Sequence, residues 1–161
     1  MKLVEWLSRP KRMDVYEIGP CLFMSGSLAR SMDYLKRGVT AVINLKEIPD
    51  SFLPKKLHWG LYLHWPIEDG PMPDAPTVRT LAKFIVGLIQ DGRKVLVHCH
   101  GGNNRSGLVV ARTLIEQGIP PEEAIERVRR GRGPTALSNQ QFVEWLLQEG
   151  AERPSSLSLP S

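Results

Sequence analysis

Apolar residues recur along this chain in two rhythms: short β-branched runs, and longer stretches with an apolar position every three or four residues. Val15–Ile18 and Cys21–Met24 flank the pair Gly19-Pro20 and predict two short strands around a turn. Ser27–Arg37 predicts a helix closed by Gly38. Val39–Leu45 is an apolar run of the kind buried on both faces, and Leu61–Ile67 is a second, ending in the turn signal Glu68-Asp69-Gly70. Asp74 offers an N-cap to a helix running through Gln90, with Leu81, Phe84, Ile85 and Leu88 on one face. Lys94–Cys99 predicts a third buried strand. From Ser106, the positions Leu108, Val109, Ala111, Leu114 and Ile115 mark a helix ending near Gly118. Pro121–Arg130 and Asn139–Gly150 predict two more helices. Strands alternating with helices predict an α/β fold, a central and mostly parallel sheet flanked by helices on both faces. Ligands bind such sheets at the carboxyl ends of the strands.

Composition narrows this picture without redrawing it. The 161 residues fit one domain, expected over residues 1–151, and 152–161, with Arg153-Pro154-Ser155-Ser156, is expected to be a flexible tail. At 42% hydrophobic and 24% charged residues the chain can bury a core without staples. Two cysteines exclude a disulfide-bonded scaffold and any zinc site of three or four thiolates. No apolar run nears the ~20 residues of a membrane span, and Glu5, Arg9, Pro10 and Lys11 interrupt any leader-like start. The expectation is a cytoplasmic protein with no membrane partner, monomeric by default. A net charge of +4 suits anionic partners but selects none.

The chemistry concentrates where the third buried strand ends, in His98-Cys99-His100-Gly101-Gly102-Asn103-Asn104-Arg105-Ser106-Gly107. Five residues between Cys99 and Arg105 suffice to wrap backbone amides around a tetrahedral oxyanion, and Gly101-Gly102 permits the tight path. A helix beginning at Ser106 adds the positive end of its dipole. Arg105 can grip two phosphate oxygens with its planar fork. That field favours the thiolate of Cys99, a nucleophile beneath a bound phosphoryl group. The competing structural reading, a small core cysteine at a strand end, explains neither the glycines nor the arginine. A metal site fails for want of ligands, with four His and two Cys in all, and no Gly-Lys-Ser/Thr is present for a Walker loop.

This segment resembles the Cys-x5-Arg-Ser/Thr signature of the protein tyrosine phosphatase superfamily. Val15–Ser25 with Val39–Leu45 is similar to the front half of a dual-specificity phosphatase domain. Pro66–Gly70 with Pro73-Asp74 resembles the general-acid loop of the compact cyclin-dependent-kinase-associated and archaeal phosphatases. The resemblance implies Cys99 as nucleophile, Arg105 as phosphate clamp and Asp69 as general acid. It also implies that Ser106 stabilises the sulfur leaving group, that His98 orders the loop, and that His100, Gly101, Gly102, Asn103 and Asn104 cradle phosphate, sulfate or vanadate. No cofactor or metal is implied, and the substrates are phosphotyrosine and phosphoserine or phosphothreonine in proteins.

Several readings stay open on sequence alone. Asp69-Gly70 is also an ordinary turn, and Glu68 and Asp74 are rival acids, Asp74 being explained by its place as an N-cap. A water-positioning or substrate-loop residue is expected among Asn139, Gln140 and Gln141, against the alternative that the glutamines simply face solvent. Arg127, Arg129, Arg130 and Arg132 either complement a helix dipole or attract anionic substrate. Cys21 is expected to be inert core, and His58 and His64 structural. The alternative substrate class is a triphosphate-ended RNA or another non-protein phosphate; RNA is disfavoured because aromatic residues do not interleave with a basic stripe.

Overall fold

The structure is a computed structural model that describes residues 15–28, 33–51 and 60–151. His58, residues 29–32 of the helix predicted over Ser27–Arg37 and the tail 152–161 lie outside the described residues, and Ser27 and Leu28 are described but are not helical. Five strands form one sheet: β1 (Val15–Gly19), β2 (Leu22–Ser25), β3 (Val39–Asn44), β4 (Leu61–His64) and β5 (Lys94–His98), ordered β1-β2-β5-β3-β4. Only the β1–β2 pair is antiparallel, as a tight turn demands; β2–β5, β5–β3 and β3–β4 are parallel. The helices are α1 (Asp33–Lys36), α2 (Ala75–Gln90), α3 (Arg105–Glu116), α4 (Pro121–Arg132) and α5 (Gln140–Ala151).

Period-two alternation divides the strands between two cores. Leu22, Met24, Ala41, Ile43, Val95 and Val97 face α2 to α5. Phe23, Val39, Val42 and Leu96 join a smaller cluster with Val15 and with Tyr34 of α1. Helices therefore cover both faces, unequally. The larger layer centres on α3, whose residues from Arg105 to Ile115 are all buried. Its first turn cannot shift without disturbing the core on every side.

Four local expectations change. Cys21 is not strand core: it turns between β1 and β2 at φ 62°, half-buried, its carbonyl taking the Val95 amide at 2.9 Å. The run Leu61–Ile67 is a strand only to His64, because Pro66 has no amide for the ladder. Phe84 is 41% exposed, since it lies about 60° further round α2 than Leu81, while Val78 and Ala82 complete the buried stripe. Asp74 stands at the N-cap position but caps no amide; its carboxylate accepts the Thr77 hydroxyl at 2.6 Å.

Parallel register gathers the site. Ser25, His98 and Asn44 lie level on adjacent strands, with His64 opposite Asn44. These polar residues end otherwise apolar strands at one carboxyl edge, and Ser25, Asn44 and His98 are buried there.

Candidate active site

β5 stops at His98, one residue before the predicted end, so Cys99 leaves the ladder and opens a loop that α3 closes at Arg105. The loop carbonyls are held from outside. His100 O accepts the Ser27 amide at 3.0 Å, Gly102 O the Arg132 Nε at 2.9 Å, Gly101 O the Arg132 Nη2 at 3.3 Å, and Asn103 O the Leu137 amide at 3.2 Å. With its oxygens so engaged, the loop turns the Gly102 amide inward, where it donates to Cys99 Sγ at 3.2 Å. Ser106 Oγ lies 3.3 Å from the same sulfur, and both side chains are buried. Gly102 has φ +66°, and a Cβ there would strike the backbone of Ser25 and Gly26, so only glycine fits.

Arg105 is 6% exposed. Its Nη1 donates to Glu47 Oε1 at 2.7 Å, while its Nε is buried without a partner. His98 Nδ1 and Asn103 Oδ1 are likewise buried and unpartnered, so among the described residues every such side-chain atom falls within residues 98–105. A buried donor without a partner costs roughly 1–3 kcal/mol. Of the three, Arg105 Nε is the unpaired donor, at the position where an anionic ligand over the loop can supply the missing bond.

Asp69 and Glu68 are exposed on the turn after β4. That turn is anchored at Ile67, whose amide donates to Leu45 O at 3.2 Å, and at Gly70, whose carbonyl accepts Asn139 Nδ2 at 3.1 Å. Asn139 in turn gives its amide to Asn104 Oδ1 at 2.9 Å and caps α5, its Oδ1 accepting the Gln141 amide at 3.1 Å. Asn139 thus ties the Asp69 turn to the Cys99 loop, whereas Gln140 and Gln141 are exposed.

The arginine run divides by role. Arg129 donates to the carbonyls of Ala136 and Leu137, and Arg132 holds the Cys99 loop while stacking on Tyr16 at 4.7 Å. Arg127 and Arg130 pair with Glu123 and Glu126 one turn back along α4. His64, read as structural, donates from Nε2 to the Lys46 carbonyl at 2.8 Å.

A family model described as "Dual specificity phosphatase, catalytic domain" matches residues 25–152. The chain belongs to that family. Human cyclin-dependent kinase inhibitor 3 is 38% identical over 85 residues, covering 52% of this chain and 40% of that protein. Human dual specificity protein phosphatase 12 is 32% identical over 139 residues, 82% of this chain and again 40% of the relative. The chain therefore spans about two fifths of the length of these curated relatives. The crystal structure of Tk-PTP in its active form superposes with a TM-score of 0.73 at 32% identity, covering 89% of this chain and 99% of that one.

Two site residues of this dual specificity phosphatase domain escaped sequence reasoning. Glu47 pairs with Arg105, and its own backbone amide together with that guanidinium holds its carboxyl below the usual range. Asp50 accepts His98 Nε2 at 2.8 Å, Lys46 Nζ at 2.9 Å and the Tyr62 hydroxyl at 3.0 Å. Burial pushes the Asp50 carboxyl up, but these donors outweigh it and bring it down to about 2. The available signal was positional: both residues follow β3, which pairs with β5, so the segment after Asn44 runs beside the one after His98.

Proposed function

We propose that this domain, spanning residues 1–151, is a metal-independent, cysteine-dependent phosphomonoesterase acting on phosphotyrosine and on phosphoserine or phosphothreonine in proteins of the cytoplasm. The observation that carries the reading is the Cys99 sulfur, buried between the Gly102 amide and the Ser106 hydroxyl at the N-terminus of α3. Donors fixed in place stabilise developing charge without reorganising.

In this reading the Cys99 thiolate attacks phosphorus in line as the bond to the substrate oxygen breaks. Loop amides and Arg105 hold the equatorial oxygens, and Asp69 gives its proton to the departing alkoxide or phenoxide. Water then attacks the thiophosphoryl cysteine, Asp69 as carboxylate takes its proton, and inorganic phosphate leaves. Ser106 Oγ hydrogen-bonds the sulfur as it departs as thiolate. His98, anchored on Asp50, orders the loop, and Asn139 keeps the Asp69 turn in register with it. Asp74 is the weaker acid candidate, because its carboxylate is already bonded to Thr77. Against a triphosphate-ended RNA substrate, Glu47 adds a carboxylate beside the one buried clamp, which extra phosphates would meet at a cost.

Cys99→Ser is expected to abolish turnover of a phosphotyrosine peptide while retaining peptide binding, measured in EDTA-treated buffer. Wild-type turnover by that variant would end the thiolate reading.

A further inference from the structure

We propose that Glu47 is a specificity-determining residue that steers this site toward phosphopeptides with a cationic side chain beside the phosphoresidue, and away from polyanionic phosphates. The proposal rests on the phosphopeptide substrate class argued above. It begins from the segment after β3. There Lys46 and Asp50 turn inward: the Lys46 amide donates to Asn44 Oδ1 at 2.8 Å and its Nζ to Asp50, while Asp50 also takes His98 and Tyr62. Glu47 and Ile48 between them turn outward, the Glu47 side chain 70% exposed and Ile48 66% exposed. The buried network fixes the loop, so Glu47 is presented at the mouth with little ordering left to do on binding.

Charge then decides what the mouth accepts. Arg105 is shared between Glu47 and any bound phosphate, and its unpartnered, buried Nε points to that ligand independently of the carboxylate. A phosphate dianion over a thiolate brings more negative charge than one shared guanidinium offsets. Glu68 stands exposed on the turn that Asn139 ties to the same loop. The facing basic side chains are His100, a neighbour of Glu47, and Arg132, whose guanidinium is spent on the Gly101 and Gly102 carbonyls and the Tyr16 ring. A lysine or arginine of the substrate can take over the Glu47 carboxylate and release Arg105 Nη1 toward the phosphate. Its aliphatic stem finds apolar surface on Ile48. A second phosphate in that place meets repulsion instead.

The test uses phosphothreonine peptides identical but for Arg, Ala or Glu next to the phosphoresidue. Affinity is read by fluorescence anisotropy in the non-turnover variant Cys99→Ser, and kcat/KM in the parent. The Arg peptide is expected to bind about five- to tenfold more tightly than the Glu peptide at low salt, the span of one exposed charge switched from attraction to repulsion. Adding Glu47→Gln, which still offers Arg105 an acceptor, should bring the peptides within about twofold, and Glu47→Lys should reverse their order. An unchanged Arg-to-Glu ratio in Glu47→Gln, or no discrimination in the parent, overturns the proposal even if all rates fall together. Discrimination in binding without turnover by the parent would support Glu47's role and refute the phosphatase reading.

Discussion

Two arginine–carboxylate clusters are built on α3, at its first turn and two turns on, and they are finished differently. At the inner one, Glu149 of α5 takes Arg79 of α2 through both oxygens, at 2.6 and 2.7 Å, and Arg112 Nε at 3.0 Å. Arg112 Nη1 reaches Glu116 at 2.8 Å, and Arg79 lies 5.9 Å from the Trp145 ring. Both carboxylate oxygens are used, three helices are joined, and a ligand would find little to bind. At the first turn, Arg105 has one partner, an exposed glutamate, and a buried Nε with none. Similar chemistry is saturated where it joins three helices and left incomplete at the loop to which the proposed reading assigns a phosphate.

With Cys99 left in place, the largest effect is expected at Asp69, the proposed general acid. Asp69→Asn is expected to slow a phosphotyrosine peptide by about 10²–10⁴, with a smaller loss for an activated aryl phosphate that leaves unaided. Asp74→Asn should change the rate little. Steady-state kinetics on both substrates decide it; the reverse pattern would move the acid to Asp74.

Next is the contrast between the clusters. Arg105→Lys replaces a fork by a point charge and should cost about 10²–10³ in kcat/KM, with Tm nearly unchanged. Glu149→Gln should do the opposite, costing about 2–3 kcal/mol in urea unfolding while the folded protein keeps its rate. The figure sits at or below that of a fully buried pair because the Arg79 side chain is 40% exposed. A rate loss in Glu149→Gln matching that of Arg105→Lys would erase the distinction.

Much of the inner sheet and the whole Cys99–Arg105 loop are legible in sequence, because both are local: a β-branched run, then a glycine-rich loop at fixed spacing. The missing pieces are non-local. Whether Arg132 is solvated or structural depends on loop carbonyls 30 and 31 residues away. Asn139 is distinguished from Gln140 and Gln141 only by partners 35 and 69 residues away. Glu47 and Asp50 join the site through a pairing of β3 with β5 across the whole of α2. Cys21 departs from the strand expected over Cys21–Met24 because a non-glycine residue at positive φ leaves no mark in hydrophobic pattern.

The smallest effect is in acid. The Asp50 carboxyl titrates at about 2 in the fold against a reference of 3.8. Its stabilisation is complete above pH 3.8 and is lost as pH falls toward 2, about 2 kcal/mol in all. The Glu149 carboxyl is also held down, chiefly by Arg79, so its share too fades below its ordinary value of 4.5. Urea midpoints measured from pH 5 downward should fall less steeply in Asp50→Asn than in the parent; equal slopes would remove Asp50 from the list of stabilising carboxylates.

The thiolate reaction is tested most directly by stopping the enzyme with acid during turnover of a phosphopeptide and locating the phosphoryl group by peptide mass spectrometry. A phosphoryl group on Cys99 in the parent, and on no residue of Cys99→Ser, is the expected result. Turnover with the phosphoryl group on any other residue would contradict it.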